Sequence, residues 1–308
     1  MKTPALDPKA LMAIRDLELR AQIVVEGFWN GLHRSPYHGF SVEFSEYRQY
    51  SPGDDPRYLD WKLYGRSDRY YLKKFEDETN LRCHILLDAS GSMGFGSLSY
   101  TKADYARTLA LTLACFLQSQ GDAVGLMQFG NEVLNILPAR SKRAHLRALA
   151  QTMDRPARST GTNLRAPLQQ AATFIKKRGL LLLISDFFTP LEGLEKDLGL
   201  LKAAGHEIIL LQILDPAEAE FKFTEASRFY DVETEKEFYV DPKAIRERYL
   251  TSLKDHIGRL KKIGQTLGIS LHQVRTDEPL EWTLSAFLRD RLQRGKKVVR
   301  ARGSTSGR

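Results

Sequence analysis

The chain has almost no cysteine: two in 308 residues, Cys83 and Cys115, both in apolar stretches and neither in a CxxC pair. A disulfide framework and a thiolate zinc site are therefore not expected, and a reducing compartment fits the composition. Long apolar runs are missing as well. Stretches such as Leu180 to Ile184 stop far short of the ~20 residues needed to span a bilayer. The N-terminus, Met1-Lys2-Thr3-Pro4 followed by Asp7, Arg15, Asp16 and Glu18, lacks the apolar core of a signal peptide. These absences point to a cytosolic protein without a membrane span. Familiar catalytic signatures are also lacking. There is no GxxxxGK[ST] phosphate loop, no HExxH and no GxSxG elbow, and Gly91, Gly94 and Gly96 are wrongly spaced for GxGxxG.

What is present reads as a globular protein. Hydrophobic residues make up 42% and charged residues 27%, which is ordinary for a folded chain. The 46 Lys and Arg outnumber the 38 Asp and Glu, for a net charge of +8. That surplus is local. Residues 289–308 hold eight basic side chains and one acidic one, which leaves residues 1–288 at +1. The body is near neutral and the tail, residues 293–308, reads as basic and disordered. The tail has no interleaved aromatics and no reading module, so it reads as a solvated segment rather than a nucleic-acid interface.

Residues 82–275 alternate between apolar strands and amphipathic helices. Strands are expected at His84 to Leu87, Ala123 to Phe129, Val133 to Leu137, Leu180 to Ser185, Glu207 to Leu214 and Ser270 to Val274. Helices are expected from about Tyr100, at Lys142 to Met153, Leu164 to Lys177, Leu191 to Ala204, Pro242 to Leu267 and Pro279 to Arg291. This pattern implies an α/β fold with a doubly wound, mostly parallel sheet, placed at about residues 82–292. A hairpin inserted at about residues 216–242 interrupts it. Residues 1–81 open with a helix expected from Pro8 to Arg20 and continue as short extended segments, a small region of their own.

One stretch carries chemistry. Asp88-Ala89-Ser90-Gly91-Ser92 places a carboxylate and two hydroxyls at i, i+2 and i+4, where the first strand turns toward a helix. Ligands of open α/β sheets bind outside the carboxyl ends of the strands, which is where these groups lie. Hard oxygen donors suit a hard divalent cation, Mg2+ first, with Mn2+ or Ca2+ as alternatives. Thr162, in Ser159-Thr160-Gly161-Thr162-Asn163-Leu164, and Asp186, after the strand Leu183-Ile184-Ser185, would meet the same sheet edge. Ser185 is placed to support Asp186. The plain alternative is a helix cap and turn, because Asp and Ser favour such loops.

The three elements in this order resemble the von Willebrand factor A domain and its metal-ion-dependent adhesion site. Asp88, Ser90 and Ser92 match that site's Asp-x-Ser-x-Ser, Thr162 its loop threonine and Asp186 its later aspartate. The upstream run adds Arg48, Tyr50, Gly53, Asp54, Asp55, Arg57, Asp60, Trp61 and Arg66. With this run, residues 30–292 are similar to the prokaryotic family catalogued as domain of unknown function 58. Members of that family often occur beside MoxR-type AAA+ ATPases. The resemblance implies a non-enzymatic, metal-dependent adaptor that binds such an ATPase or its client through a partner's acidic side chain. The cluster Arg48, Asp54, Asp55, Arg57, Asp60, Trp61 and Arg66 is read as a structural network of Arg–carboxylate pairs, or a partner surface, rather than an active site. The enzymatic rival is a Mg2+-dependent phosphatase with Asp88 as nucleophile. It wants a second acid two residues on, where this chain has Ser90.

Overall fold

The computed structural model describes residues 6–33, 47–49, 64, 70–73, 81–155, 163–221, 223, 227–230, 237–240 and 242–303. The chain divides into two compact units, Met1–Trp29 with Leu81–Arg308, and Asn30–Asn80. The first 29 residues thus group with the large α/β body rather than with the segment that follows them.

The N-terminal helix expected from Pro8 to Arg20 is two helices, α1 (Pro8–Met12) and α2 (Leu17–His33). Asp7 caps the first through the Lys9 amide, and Asp16 accepts the Leu19 amide at 2.9 Å, which starts a new helix there. In the smaller unit, β1 (Tyr47–Gln49) pairs antiparallel with β2 (Tyr71–Lys73), and Arg48 lies opposite Leu72.

The large unit is built on a six-stranded sheet. Its strands are β3 (Arg82–Asp88), β4 (Ala123–Phe129), β5 (Val133–Arg140), β6 (Leu180–Ser185), β7 (Glu207–Leu214) and β10 (Ser270–Arg275). They lie in the order β10-β7-β6-β3-β4-β5, and every neighbouring pair is parallel except β4 and β5. Parallel strands sit between two helical layers, which is why β6 can be Leu-Leu-Leu-Leu-Ile-Ser with every residue buried. Gly125 lets β5 close against β4. A Cβ there would stand 2.9 Å from the Ala139 nitrogen and the Leu137 oxygen.

One face is covered by α3 (Lys102–Ser119) and α4 (Ala144–Asp154). Phe28 and Trp29 of α2 meet Phe116 of α3 at ring separations of 6.1 and 5.4 Å. The other face packs α5 (Arg165–Phe174), α6 (Leu194–Ala203) and later α8 (Pro242–Leu267) through Leu168, Leu198, Leu201 and Leu260. Between β7 and α8 come the short α7 (Pro216–Glu220) and the expected hairpin, β8 (Ser227–Tyr230) paired with β9 (Glu237–Val240). The closing helix α9 (Leu280–Gly303) passes Arg291 and continues through most of the segment read as a disordered tail. Leu292 to Gly303 contains no proline and five of its twelve residues are Lys or Arg, good helix formers that carry the helix past Gly295.

The strand order fixes where a site can form. From β3 the chain winds outward to β4 and β5, then crosses back to β6 on the other side of β3 and winds outward again. The reversal opens a crevice at the carboxyl ends of β3 and β6. Asp88 is the last residue of β3, and Asp186 follows the last residue of β6.

Candidate metal centre

The crevice holds a compact set of oxygen atoms. Beyond Asp88 the chain turns through Ser90 into a short 3-10 segment, Gly91–Gly94. The Ser90 amide donates to Asp88 Oδ1 at 2.8 Å, which curls the loop back over its own carboxylate. The same curl brings the Ser90 and Ser92 hydroxyls to 3.1 Å from each other. Asp88 and Ser90 are buried, and Ser92 is half-buried.

From β6, Ser185 donates its hydroxyl to Asp88 Oδ2 at 2.5 Å and accepts the Phe187 amide at 2.9 Å. The expectation that Ser185 supports Asp186 is thus corrected. It lies one residue earlier on a strand adjacent to β3, so its side chain reaches across to Asp88. Phe187 then takes φ = 59°, a left-handed conformation that is costly for a bulky residue, about 1–3 kcal/mol. The Ser185 hydroxyl at its amide, and contacts of its carbonyl with the His256 ring at 2.8 Å and the Thr189 amide at 2.8 Å, hold that turn. It directs Asp186 back into the crevice, where Oδ1 accepts the Phe188 amide at 3.0 Å.

Two further charged groups escaped the sequence reading. Lys102, the first residue of α3, is fully buried and places its ammonium 2.8 Å from Asp186 Oδ2 and 2.7 Å from Glu218 Oε1. Burial pulls its pKa down, but the two carboxylates outweigh that and hold it above the usual lysine value. Glu218 belongs to the capping box of α7, in which Asp215 accepts the Ala217 amide and Glu218 accepts the Asp215 amide. The spacing Asp215-Pro-Ala-Glu218 was a legible signal for that box. Lys102 gave none, because a lysine at a helix start reads as solvated.

Two carboxylates share the crevice, and the effect falls on Asp88. Burial first, and then the neighbouring charge of Asp186, push its pKa up to about 6. A buried acid held in this way gains from a cation. The donors beside it, Asp88 and the Ser90 and Ser92 hydroxyls, are hard oxygens, so the residues fit an ion of the Mg2+ class. Among the described residues no group of three or more His, Cys, Asp or Glu side chains is placed to hold a metal ion, so any ion here would depend on the hydroxyls as well. Thr162 lies outside the described residues, as do Asp54, Asp55, Asp60, Arg57, Trp61 and Arg66. Of that cluster only the backbone of Arg48, in β1, is described. For the phosphatase alternative, the position two residues after Asp88 offers a serine whose amide is spent on Asp88 itself.

Known proteins are similar in both sequence and fold. The protein named Uncharacterized protein Rv1480 from Mycobacterium tuberculosis is 28% identical over 277 residues, covering 88% of this chain and 86% of its own. An aerotolerance-related membrane protein from Bacteroides fragilis matches in structure with 15% identity and a TM-score of 0.48, covering 67% of this chain and 97% of that one. The SpRpn10 VWA domain matches with 14% identity and a TM-score of 0.39, covering 65% of this chain and 92% of that one. The expected cytosolic location is corrected here, because the structural match from Bacteroides fragilis is a membrane protein. Among the described residues no helix is long and apolar enough to cross a membrane. The sheet of six mostly parallel strands flanked by helices is the α/β arrangement expected from the sequence, and its structural neighbours include a VWA domain. A family model matches residues 46–259, and the chain belongs to the family described as Protein of unknown function DUF58.

Proposed function

We propose that the chain is a divalent-cation-dependent protein-binding module. The observation that carries this reading is the meeting of Asp88, Ser90 and Ser92 with Asp186 at the switch point of the sheet. Asp88 and the Ser90 and Ser92 hydroxyls would hold the ion, with Thr162 and Asp186 completing the set. When bound, the cation would supply positive charge and a free coordination position for a carboxylate of the partner.

The chain's own groups prepare that event. The Ser90 amide and the Ser185 hydroxyl each take one oxygen of Asp88, which fixes the carboxylate before any partner arrives. Two hydrogen bonds also hold Asp186, one from the Phe188 amide and one from Lys102. A buried, oriented crevice of this kind can recognise an acidic group without transforming it.

The partner proposed is a MoxR-type AAA+ ATPase or a client of one, with this chain as the adaptor. In the presence of Mg2+, the wild-type chain should retain such an ATPase from the same organism in a pull-down. Asp88→Ala, or wild type with EDTA, should retain none. Equal retention by Asp88→Ala, or indifference to EDTA, contradicts the reading.

A further inference from the structure

Lysine is almost never fully buried unless it is paired, and Lys102 shows no exposed surface at all. Its ammonium lies between two carboxylates, Asp186 Oδ2 at 2.8 Å and Glu218 Oε1 at 2.7 Å. Phe188 and Phe95 face the same ammonium at 4.9 and 5.9 Å from their ring centres. Two capping boxes fix the arrangement. Thr101 and Asp104 set the start of α3 immediately before Lys102, and Asp215 with Glu218 sets the start of α7. A buried ion network held this rigidly seldom adds net stability over apolar packing.

We propose that Lys102 is a tethered cation that sets the charge of the metal centre, so that one divalent ion neutralises the centre and stays able to accept a partner's carboxylate. Asp88, Asp186 and Glu218 carry three negative charges and Lys102 one positive charge, a balance of −2. One divalent cation cancels it. Without Lys102 the balance is −3, and the loaded centre would keep a negative charge that repels an incoming carboxylate. Lys102 also takes Glu218 Oε1, so this acid does not crowd the coordination positions left for the partner. This inference rests on the metal reading given above.

A ladder of charges tests it, with Mg2+ alone titrated into the full chain by calorimetry. Glu218→Gln brings the centre to −1, wild type stands at −2, Lys102→Met is at −3, and Lys102→Met with Glu218→Gln returns to −2. Mg2+ affinity should rise by about tenfold per added negative charge, and the double variant should fall within about threefold of wild type. The double variant also keeps the test open if Lys102→Met alone does not fold, since it leaves fewer uncompensated acids buried. Wild-type binding combined with weaker or unchanged binding in Lys102→Met, or with loss of binding in the double variant, would overturn the role of Lys102 and leave the metal reading standing. Absence of Mg2+ binding in wild type overturns both.

Discussion

At the residue scale, Ser185 and Asp88 form the tightest unit in the crevice. The Ser185 hydroxyl serves two buried groups at once, Asp88 Oδ2 and the Phe187 amide. Ser185→Ala should cost about 2 kcal/mol in a urea melt, because both groups then lose a partner away from water. His84 makes a second prediction. Burial, aided by the nearby charges of His206 and Arg82, lowers its pKa to about 4 from an ordinary 6.5. The folded chain therefore resists protonating it while the unfolded chain does not. Its stabilising contribution is present above pH 6.5 and is lost as pH falls toward 4. Asp88, with its raised pKa, acts in the opposite sense over part of the same range, so a comparison with a variant is needed to isolate His84. The stability advantage of wild type over His84→Gln should shrink by about 2 kcal/mol between pH 7 and pH 5 in paired denaturant titrations.

At the element scale, the sheet depends on close approach as much as on apolar pattern. Gly125→Ala would push a methyl group against the backbone of Leu137 and Ala139, so β5 must shift away from β4. A loss of about 1–3 kcal/mol, with β5 amides exchanging faster than those of β6, is the expected result of hydrogen exchange and melting. Buried strands and long amphipathic helices were legible in the sequence because burial dictates their residue types. β6 and α8 appear at the residues where period and apolar run placed them. The break between α1 and α2 was not legible, since Asp16 inside a helical pattern reads as a surface acid until it is seen to cap. Asp88, Ser90 and Ser92 stood out because a short motif at a strand end is local. Lys102 and Glu218 did not, because their pairing joins residues 116 positions apart and no local pattern announces it.

At the scale of the whole molecule, a near-neutral body carries a crevice at the switch point of its sheet. Most of the chain's +8 lies in the last twenty residues. The positive charge proposed for recognition is instead a cation that Asp88 would hold, balanced by Lys102. The central claim is that this cation binds, and calorimetric titration of Mg2+ into wild type and Asp88→Asn tests it most directly. Asparagine keeps the shape and removes the charge, and a melt of the metal-free variant checks that the fold survives the loss of one acceptor oxygen. The account predicts one Mg2+ per wild-type chain and none for Asp88→Asn. A wild-type chain that binds no Mg2+, or a variant that binds it equally well, would contradict it.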